Sequence, residues 1–557
     1  DQPTQRAALA AAGRQTIETN YSFRRRMEKM AAMYDEFQGY ALATAWGIPL
    51  IYGVDAVHGH NNLYGAVIFP HNIGLGATRD PDLVRRVARV TAEELIATGV
   101  RWDFAPPVSV PRDIRWGRTV EAYSEDTELV TQLGVAFLRG LQDVGNGLAD
   151  PSSVLGCVKH FVADGGTSWG SAGGDPAAVE SAGGDGNFED AEPISEERRR
   201  ILEEHDEQFG EMYEHGTWGQ QIDQGVADIT EEELRRVHLS PYVAAIANGA
   251  RSIMVSLSSW RDVKLHAHKY LLTDVLKGEL GFDGFLVSDW LAIDYLDADY
   301  YQAVVLGINA GLDMFMVPTD WKALWKNTLQ QVQAGEIPME PLDDAVRRIL
   351  RVKMRAGLFE RGKPSERPLG GRTEFFGSPE HRDVARRAVR ESLVLLKSVN
   401  DALPLDAAKP VAVVGEHADN SGLQSGGWSI HWQGQTESYR GATTILEGIS
   451  QFATEVEYAA QGCDEKMAAE TAVVVVGEQP YAEFKGDTDE LFLTDRHSGM
   501  IEGCKRLGKK VVVVLISGRA LAIEPDLAVD LANILGVGLE LVPVSAANRF
   551  QHALMLK

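Results

Sequence analysis

The segment GFDGFLVSDW at residues 281–290 ends a run of apolar residues with a carboxylate, Asp289, followed at once by Trp290. A short apolar run with β-branched and aromatic residues is typical of a strand buried on both faces of a sheet. In a barrel of parallel strands, reactive side chains project from the carboxyl ends of the strands. The segment therefore predicts a parallel sheet with a polar site at one end.

Five further segments have the same buried-strand character: IPLIYGVD (48–55), WDFAPPVSV (102–110), VLGCVKHFVAD (154–164), RSIMVSLSS (251–259) and LDMFMVP (312–318). Helical patterns separate them. Asp80 and Pro81 begin one helix with an N-cap and a proline at its first position. Thr230 and Glu233 form the capping-box pattern of another. Strands that alternate with helices predict a parallel α/β fold, and this number of units indicates a (β/α)8-type barrel.

A second domain follows a stretch rich in glycine, proline and charge. We assign residues 1–362 to the barrel, 363–383 to a linker, and 384–557 to a smaller αβα sandwich. The runs PVAVVGEHAD, TAVVVVGEQP and KKVVVVLISG predict its buried parallel strands. Two segments depart from the pattern: a glycine-rich acidic insert at 170–217, expected to form a lid, a dimer contact or a surface arm, and an atypical tail from about residue 520.

The charge of the chain excludes several classes of partner. The 557 residues carry a net charge of −26, which argues against nucleic acid because a phosphate backbone requires a basic face. The same acidity argues against anionic membranes, and no apolar run approaches the roughly 20 residues of a membrane span. A neutral small ligand is the partner most compatible with this field.

The three cysteines, Cys157, Cys463 and Cys504, are odd in number and widely spaced. We expect buried free thiols rather than a disulfide framework or a zinc site. No HExxH pattern occurs, and we predict no metal centre.

Polar side chains follow several of the predicted strands. They are Asp55, Lys159, His160 and Asp289, with Arg118 on the loop RDIRWGR. A carboxylate among cationic donors suits a polyhydroxylated neutral ligand, and Trp290 offers an apolar face to a sugar ring. Each residue also has a structural explanation: a carboxylate at a strand end can cap a helix, and Arg118 can pair with Asp113 or Glu121 of its own loop.

Longer motifs are GVDAVHGHNNLYGAVIFPHNIGLGATRDPDL (53–83), RDIRWGRTVEAYSEDTELV (112–130), KHFVADGGT (159–167), GFLVSDW (284–290) and IPMEPLDDAVRRILRVKMRAGLF (337–359). The second domain adds GLQSGGWSIHWQG (422–434) and VVVVGEQPYAEFKGD (473–487). Together they resemble glycoside hydrolase family 3, of the β-glucosidase and exo-β-1,3/1,4-glucanase type. The resemblance extends over most of residues 45–520.

The resemblance implies a retaining, exo-acting hydrolase that releases glucose from the non-reducing ends of β-glucosides or β-glucans. Asp289 would be the nucleophile and Glu483 the acid/base, with Glu478 as the reserve candidate. Retention requires carboxyl groups about 5–5.5 Å apart. The loop with Glu483 would therefore lean over the barrel, which places the active site at the domain interface.

The resemblance also implies the sugar contacts. Asp55, Arg118, Lys159 and His160 would bind hydroxyl groups, Met254 would lie at the pocket floor, and Trp290 and Trp432 would cover the two faces of the sugar, with Trp428 a packing residue. No cofactor is implied. Leu257 and Tyr295 stand where plant exo-glucanase relatives have Tyr and Arg. The motif KHFVADGGT lacks the second His of the N-acetylglucosaminidase branch, which favours a glucosidase.

Two other functions stay open on the sequence. One is a non-catalytic glucan- or glucose-binding relative, and the other is a transglycosylase or phosphorylase on the same scaffold. The choice between β-1,3 and β-1,4 linkages, and a homodimer, also stay open. The sequence leaves the compartment undecided, with a periplasmic or secreted location favoured over a cytoplasmic one.

Overall fold

A computed structural model describes residues 23–172, 221–318, 320–398 and 403–521. The predicted acidic insert, from residue 173 onward, and the predicted tail, from residue 522 onward, lie outside these residues.

The first domain is built on one parallel sheet. Its strands are β1 (Gly53–Val54), β2 (Trp102–Asp103), β3 (Leu155–Phe161), β5 (Ser252–Val255), β8 (Phe285–Trp290) and β9 (Met314–Met316), paired in the order β1-β2-β3-β5-β8-β9. Each lies in one of the six predicted segments, so the parallel α/β class is confirmed. The described residues form a six-stranded half-barrel, two strands short of the eightfold pattern.

The sheet is buried on both faces, as its apolar strands predict. All seven residues of β3 are buried. On one face, Met254 packs with Trp102, Cys157 and Phe285. On the other, β3 and β5 contribute Val158 and Ile253 to the larger core beneath the helices, which explains why strands alternate with amphipathic helices in the sequence.

The helices of this domain are Phe23–Leu42, Asn72–Thr78, Pro81–Ala97, Thr127–Gln142, Glu231–Glu233, Ser240–Ala247, Tyr300–Ala310, Trp321–Ala334, Met339–Arg355 and Pro379–Ser392, with π-helical turns at Leu234–Leu239 and Tyr270–Glu279. The predicted N-caps are present, with one of the two bonds of the predicted Thr230–Glu233 capping box. Asp80 Oδ1 accepts from the backbone N–H groups of Asp82 and Leu83 at 2.9 and 3.0 Å, and Thr230 Oγ1 accepts from Glu233 N at 3.2 Å. No helix in the described ranges is long and apolar enough to cross a bilayer.

Three short strands that lie between the strands of the large sheet along the chain form a separate small sheet. It contains β4 (Val226–Ala227), β6 (Ser259–Trp260) and β7 (Val263–Lys264), with β4 parallel and β7 antiparallel to β6.

The second domain has a four-stranded parallel sheet. Its strands are β10 (Val411–Val414), β11 (Val456–Ala459), β12 (Thr471–Gly477) and β13 (Lys510–Ile516), in the order β11-β10-β12-β13, with helices Ser421–Ser425, Ile445–Ser450 and Asp495–Arg506. Three of the strands are those predicted. Helix Pro379–Ser392 crosses the predicted boundary at 384 and packs on the first domain, where His381 contacts Glu93 and Glu94.

The prediction of free thiols is wrong for two of the three cysteines. Cys463 and Cys504 form a disulfide across 41 residues, whereas Cys157 is free and buried as expected. The helix Asp495–Arg506 brings Cys504 to the loop that carries Cys463. Cysteine spacing alone could not show this, because the approach depends on how that helix packs on the sheet.

Closing a loop of this length restricts the unfolded chain. We therefore expect the double substitution of Cys463 and Cys504 by Ala to lower the free energy of unfolding by about 2–4 kcal/mol. Thermal unfolding with and without a reducing agent measures the effect: the reductant should destabilise the wild type and leave the double variant unchanged. Equal sensitivity of both proteins would contradict the assignment, and Cys157→Ala provides the matched control that keeps the bridge.

Candidate active site

Asp289 lies at the carboxyl end of β8, at the mouth of the half-barrel. Its backbone N–H donates to His266 Nε2 at 3.0 Å, and its Oδ1 accepts from Trp290 N at 2.7 Å. The first bond holds the backbone at the strand end and the second orients the carboxylate, while 15% of the side chain stays exposed. Burial raises the pKa of Asp289 above its ordinary value, and the positive charges of Arg118 and Lys159 oppose that shift.

A narrow cleft beside Asp289 is lined by Arg118, His160, Asp164, Asp223, Gln224, Ser256, Leu257 and Ser258. Five of these residues lie at or just after the carboxyl ends of β3 and β5, where the sequence predicted a polar site. Leu257, noted as a departure from relatives, contributes an apolar wall. Tyr295 lies farther along the chain on a helical turn and is 42% exposed.

Arg118 connects the predicted residues. Its guanidinium donates to both carboxylate oxygens of Glu121, at 3.0 and 2.9 Å, and from Nη2 to His160 Nε2 at 3.1 Å. Nη1 lies 3.2 Å from Glu483 Oε1. The pairing with Glu121 that the sequence offered as an alternative is therefore present together with the functional contacts. The planar fork of arginine allows one side chain to make all of them.

The contacts of His160 define its protonation. An arginine has no acceptor, so His160 Nε2 must accept from Arg118, and the ring proton lies on Nδ1, 3.0 Å from Asp164 Oδ2. Burial and the neighbouring Arg118 lower the pKa of His160, which keeps the ring neutral. Asp164 also accepts from Ser109 Oγ at 2.6 Å, and burial raises its pKa to about 6. His160 Nε2 lies 3.9 Å from Asp289 Oδ2.

Lys159 and Asp55 form a second pair at the strand ends. Lys159 Nζ lies 2.6 Å from Asp55 Oδ1, with the lysine buried and the Asp55 side chain 32% exposed. The ammonium group also lies 5.8 Å from the ring centre of Trp428. The exposed part of Asp55 leaves acceptor capacity for a ligand hydroxyl group.

Glu483 comes from the second domain, on a short turn at Glu483–Gly486. Its backbone lies in the left-handed region, with φ of 54°, which is unusual for a residue with a side chain. Its carbonyl oxygen packs against the α-carbon of Gly117, where any β-carbon would collide with it. Burial raises the pKa of Glu483 to about 8, against the opposing charge of Arg118. At neutral pH this carboxyl group is mostly protonated.

Asp487 holds the turn with Glu483 against the first domain. Its Oδ1 accepts from Gly117 N at 2.8 Å, and its Oδ2 accepts from the backbone N–H groups of Gln221, Ile222 and Asp223 at 3.0, 3.0 and 2.9 Å. Four backbone donors of two first-domain loops therefore end on one carboxylate. These loops follow β2 and precede β4, so Asp487 couples the turn to the rim of the half-barrel.

Arg519 makes the reciprocal contact. Its Nη1 donates to the backbone oxygens of Ile114 and Arg115 at 3.2 and 3.1 Å, and its Nε lies 3.1 Å from Glu478 Oε1. Glu478 also accepts from Ser517 Oγ at 2.6 Å and from Tyr481. The contacts of Glu478, the reserve candidate, are thus with residues of its own domain, and one of them is the Arg519 that reaches the first domain.

A third contact joins the motif at 53–83 to the motif at 422–434. His58 Nε2 lies 2.7 Å from the Trp428 carbonyl oxygen, and His71 Nε2 lies 3.0 Å from that of Gly427. Trp428 Nε1 donates to Glu121 Oε1 at 3.1 Å. The packing role predicted for Trp428 therefore extends to orienting the carboxylate that holds Arg118.

The three remaining predicted residues, Trp290, Trp432 and Met254, differ in how far they lie from the mouth of the half-barrel and in how buried they are. Trp290 is 45% exposed beside Asp289, and Trp432 lies with its ring centre 5.7 Å from that of Phe484, the neighbour of Glu483. Met254 is buried in the inner cluster below the strand ends. A sugar clamp between Trp290 and Trp432, and a sugar contact of Met254, remain predictions.

Several site residues were not among the predicted ones: Asp164, Asp223, His266 and Asp487. Asp164 lies four residues after His160, a spacing that could have identified it as a partner, as the spacing of three identified Glu121 for Arg118. No local pattern in the sequence indicates the place of Asp223, whose Oδ1 accepts from Trp116 Nε1 at 2.8 Å and whose pKa burial raises to about 7. His266 and Asp487 are placed by tertiary contacts alone.

The fold and site together define a class of proteins: a parallel α/β barrel-type domain whose carboxylate-bearing mouth is closed by a loop of a second α/β domain. Residues 12–181 and 212–352 match the glycosyl hydrolase family 3 N-terminal domain, and residues 393–539 match the glycosyl hydrolase family 3 C-terminal domain. The chain belongs to glycoside hydrolase family 3.

Curated relatives agree with this assignment. The chain is 30% identical over 521 residues to a lysosomal beta glucosidase of Dictyostelium discoideum, covering 88% of this chain and 57% of that protein. It is 30% identical over 519 residues to a beta-xylosidase of Formosa agariphila, covering 86% and 63%. The chain thus spans about three fifths of the length of these relatives.

Solved structures show the same fold. The exo-1,3/1,4-beta-glucanase of a Pseudoalteromonas species superposes with a TM-score of 0.77 at 37% identity, over 90% of this chain and 58% of that one. A mutant beta-glucosidase of Listeria innocua in complex with laminaribiose superposes with a TM-score of 0.71 at 26% identity, over 88% and 62%.

The four bonds of Asp487 make a direct test of how the domains are joined. Asp487→Ala leaves four backbone N–H groups without their acceptor, so we expect the free energy of unfolding to fall by roughly 2–4 kcal/mol. Urea unfolding of the full chain measures this. The control is Asp489→Ala, two residues away and exposed, which should stay within about 0.5 kcal/mol of the wild type. Equal stability of the two variants would refute the anchoring role.

Proposed function

We propose that this protein is a retaining, exo-acting β-glucosidase or β-glucan glucohydrolase that releases glucose from non-reducing ends. The observation that carries the proposal is the approach of two carboxyl groups from different domains: Asp289 lines the cleft together with Arg118, and Glu483 lies 3.2 Å from the Arg118 guanidinium. Burial raises the pKa of both groups, but their charged neighbours differ in the way that acid/base catalysis requires: Lys159 favours the ionised form of Asp289, whereas the negative charges of Asp223, Glu121 and Asp289 favour the protonated form of Glu483.

In the first step, an Asp289 carboxylate oxygen attacks the anomeric carbon and the glycosidic C–O bond breaks. The protonated Glu483 gives its proton to the departing oxygen, so the leaving group departs as a neutral alcohol. Because the pKa of Glu483 is raised, its carboxyl group carries this proton at neutral pH. Arg118 lies beside Glu483 and stabilises the carboxylate that remains.

In the second step, the Glu483 carboxylate takes a proton from water as the water oxygen attacks the anomeric carbon. The bond to Asp289 breaks, and glucose leaves with its original configuration after two inversions. Asp55, Lys159 and His160 form the hydrogen-bonding wall that would hold the sugar hydroxyl groups during both steps, as the resemblance implied. Water and the side chains of this chain supply every group that these two steps use.

The preference for glucosides rests on the relatives, which include beta-glucosidases and an exo-beta-glucanase together with a beta-xylosidase. A xyloside lacks the hydroxymethyl group of glucose. We propose a glucoside substrate, with an aryl β-xyloside as the comparison in the assay below.

Removing the acid/base should separate the two steps. Glu483→Ala should lose about 10²–10⁴ in kcat/KM on a glucoside with a poor leaving group. The leaving group of a nitrophenyl β-glucoside needs little protonation, so the glycosyl-enzyme should still form. It should then accumulate, because no general base activates water. Azide, which needs no general base, should restore turnover and give β-glucosyl azide, detected by NMR.

The control is Glu490→Ala, an exposed glutamate of the same region, which should behave as the wild type and form no azide product. Wild-type turnover with no rescue of Glu483→Ala would remove Glu483 from the role. A wild type that binds glucose but cleaves neither glucoside nor xyloside would contradict hydrolysis and favour a sugar-binding relative.

The pKa values predict a bell-shaped pH profile. Glu483 must be protonated, so kcat/KM on phenyl β-glucoside should fall as pH rises through about 8. Asp289 must be ionised, so activity should also fall at acidic pH, at a value above that of an ordinary aspartate. Glu483→Gln on an activated aryl glucoside should lose the alkaline limb and keep the acidic one. An alkaline limb that persists in this variant would assign it to another group.

A further inference from the structure

A second cluster of ionisable groups lies in the second domain, outside the cleft. Glu416 and His417 follow β10, and His497 lies on helix Asp495–Arg506. One donor atom from each, a carboxylate oxygen and two imidazole nitrogens, lies within 4.8 Å of the other two. The two histidine rings meet at 78°, with centres 5.3 Å apart.

The tautomer of His417 is set by the backbone. Its Nε2 lies 3.1 Å from the carbonyl oxygen of Glu478, which can only accept, so Nε2 carries the proton. The lone pair is therefore on Nδ1. A backbone carbonyl that fixes one ring nitrogen in this way is the usual outer contact of a metal-binding histidine.

One nitrogen of each ring lacks a partner. Nδ1 of His417 and Nδ1 of His497 are buried and make no hydrogen bond in the described part of the chain, and the two residues are only 0% and 4% exposed. A buried polar atom without a partner carries a desolvation cost that a ligand would remove.

Glu416 is available to complete the set. Its two oxygens accept from Arg496 at 3.1 Å each, but the side chains of Glu416 and Arg496 are 31% and 47% exposed, so solvent weakens this pair. A carboxylate has about four lone-pair positions, of which Arg496 uses two. Glu416 therefore keeps lone pairs that can bind a cation, whose charge would compete with that of Arg496.

We propose that Glu416, His417 and His497 form a binding site for a divalent transition metal of the Zn²⁺ type. Two imidazole nitrogens and one carboxylate oxygen suit such an ion and not Mg²⁺ or Ca²⁺, which prefer oxygen ligands. Tetrahedral ligation at about 2.0–2.2 Å places ligand atoms about 3.4 Å apart, so side-chain rotations would have to shorten the separations in the cluster, which reach up to 4.8 Å, by at most about 1.4 Å. Water completes the coordination on the exposed side of Glu416.

The site joins the end of β10 to the helix that also carries Cys504. Its role is structural: the metal fixes the helix on the sheet and, through the Glu478 carbonyl, supports the end of β12. This inference does not depend on the proposed hydrolytic activity.

The test uses the full chain without a histidine tag, stripped with a chelator and titrated with Zn²⁺ against a chromogenic zinc indicator. We expect saturable binding of one ion per chain, unaffected by excess Mg²⁺. His497→Gln should weaken binding by at least about tenfold. The matched control His268→Gln, in the first domain, should bind as the wild type does. Absence of saturable binding, or equal binding by His497→Gln, would overturn the site.

Two measurements on the wild type keep the test independent of how the variant folds. Co²⁺ should give the intense visible absorption of tetrahedral nitrogen and oxygen ligation, and a weak octahedral spectrum would contradict the proposed ligand set. Zn²⁺ should also raise the melting temperature by mass action. No rise at saturating Zn²⁺ would contradict a structural role.

Discussion

The site depends above all on the buried guanidinium of Arg118. Glu121 holds it from below through two bonds, His160 accepts from its side, and Glu483 reaches it from the second domain. Taking these charges out of water is costly, and the cost is offset only while all partners are in place. Loss of Arg118 would leave Glu121 buried and uncompensated and would remove the positive charge that faces both Asp289 and Glu483. One side chain therefore links three segments of the chain.

The second constraint is that side chains of the second domain bind backbone groups of the first domain and so fix the two domains together. Asp487 accepts from backbone groups of the first domain, while Arg519 donates to carbonyl oxygens of the loop before Arg118. Glu483 gains its position beside Arg118 from this docking, and burial together with the negative charges of Asp223, Glu121 and Asp289 raises its pKa. Asp289 lies on the sheet, where the Trp290 N–H group and the charge of Lys159 favour its ionised form. The two carboxyl groups thus acquire different proton affinities because their charged neighbours differ.

The sequence was informative where local pattern determines structure. All six strands of the large first-domain sheet and three of the second-domain strands lie in short apolar runs of the sequence, because strands buried on both faces carry no alternation. It was less informative where the outcome depends on tertiary packing. The Cys463–Cys504 bridge and the positions of Asp223 and Asp487 could not be predicted from the sequence, because they depend on contacts between loops that are distant along the chain. The sheet also has six strands in the described ranges where the repeat suggested eight.

The proposed mechanism requires that Asp289 forms a covalent bond to the sugar. Incubation with a 2-deoxy-2-fluoro-β-glucoside that carries a good leaving group slows hydrolysis of the intermediate, which can then be located by mass spectrometry of proteolytic peptides. We predict one fluoroglucosyl group per chain on the peptide that contains Asp289, and no label on Asp289→Asn. A label on Asp164, Asp223 or Glu483, or continued turnover with no labelled peptide, would contradict the account.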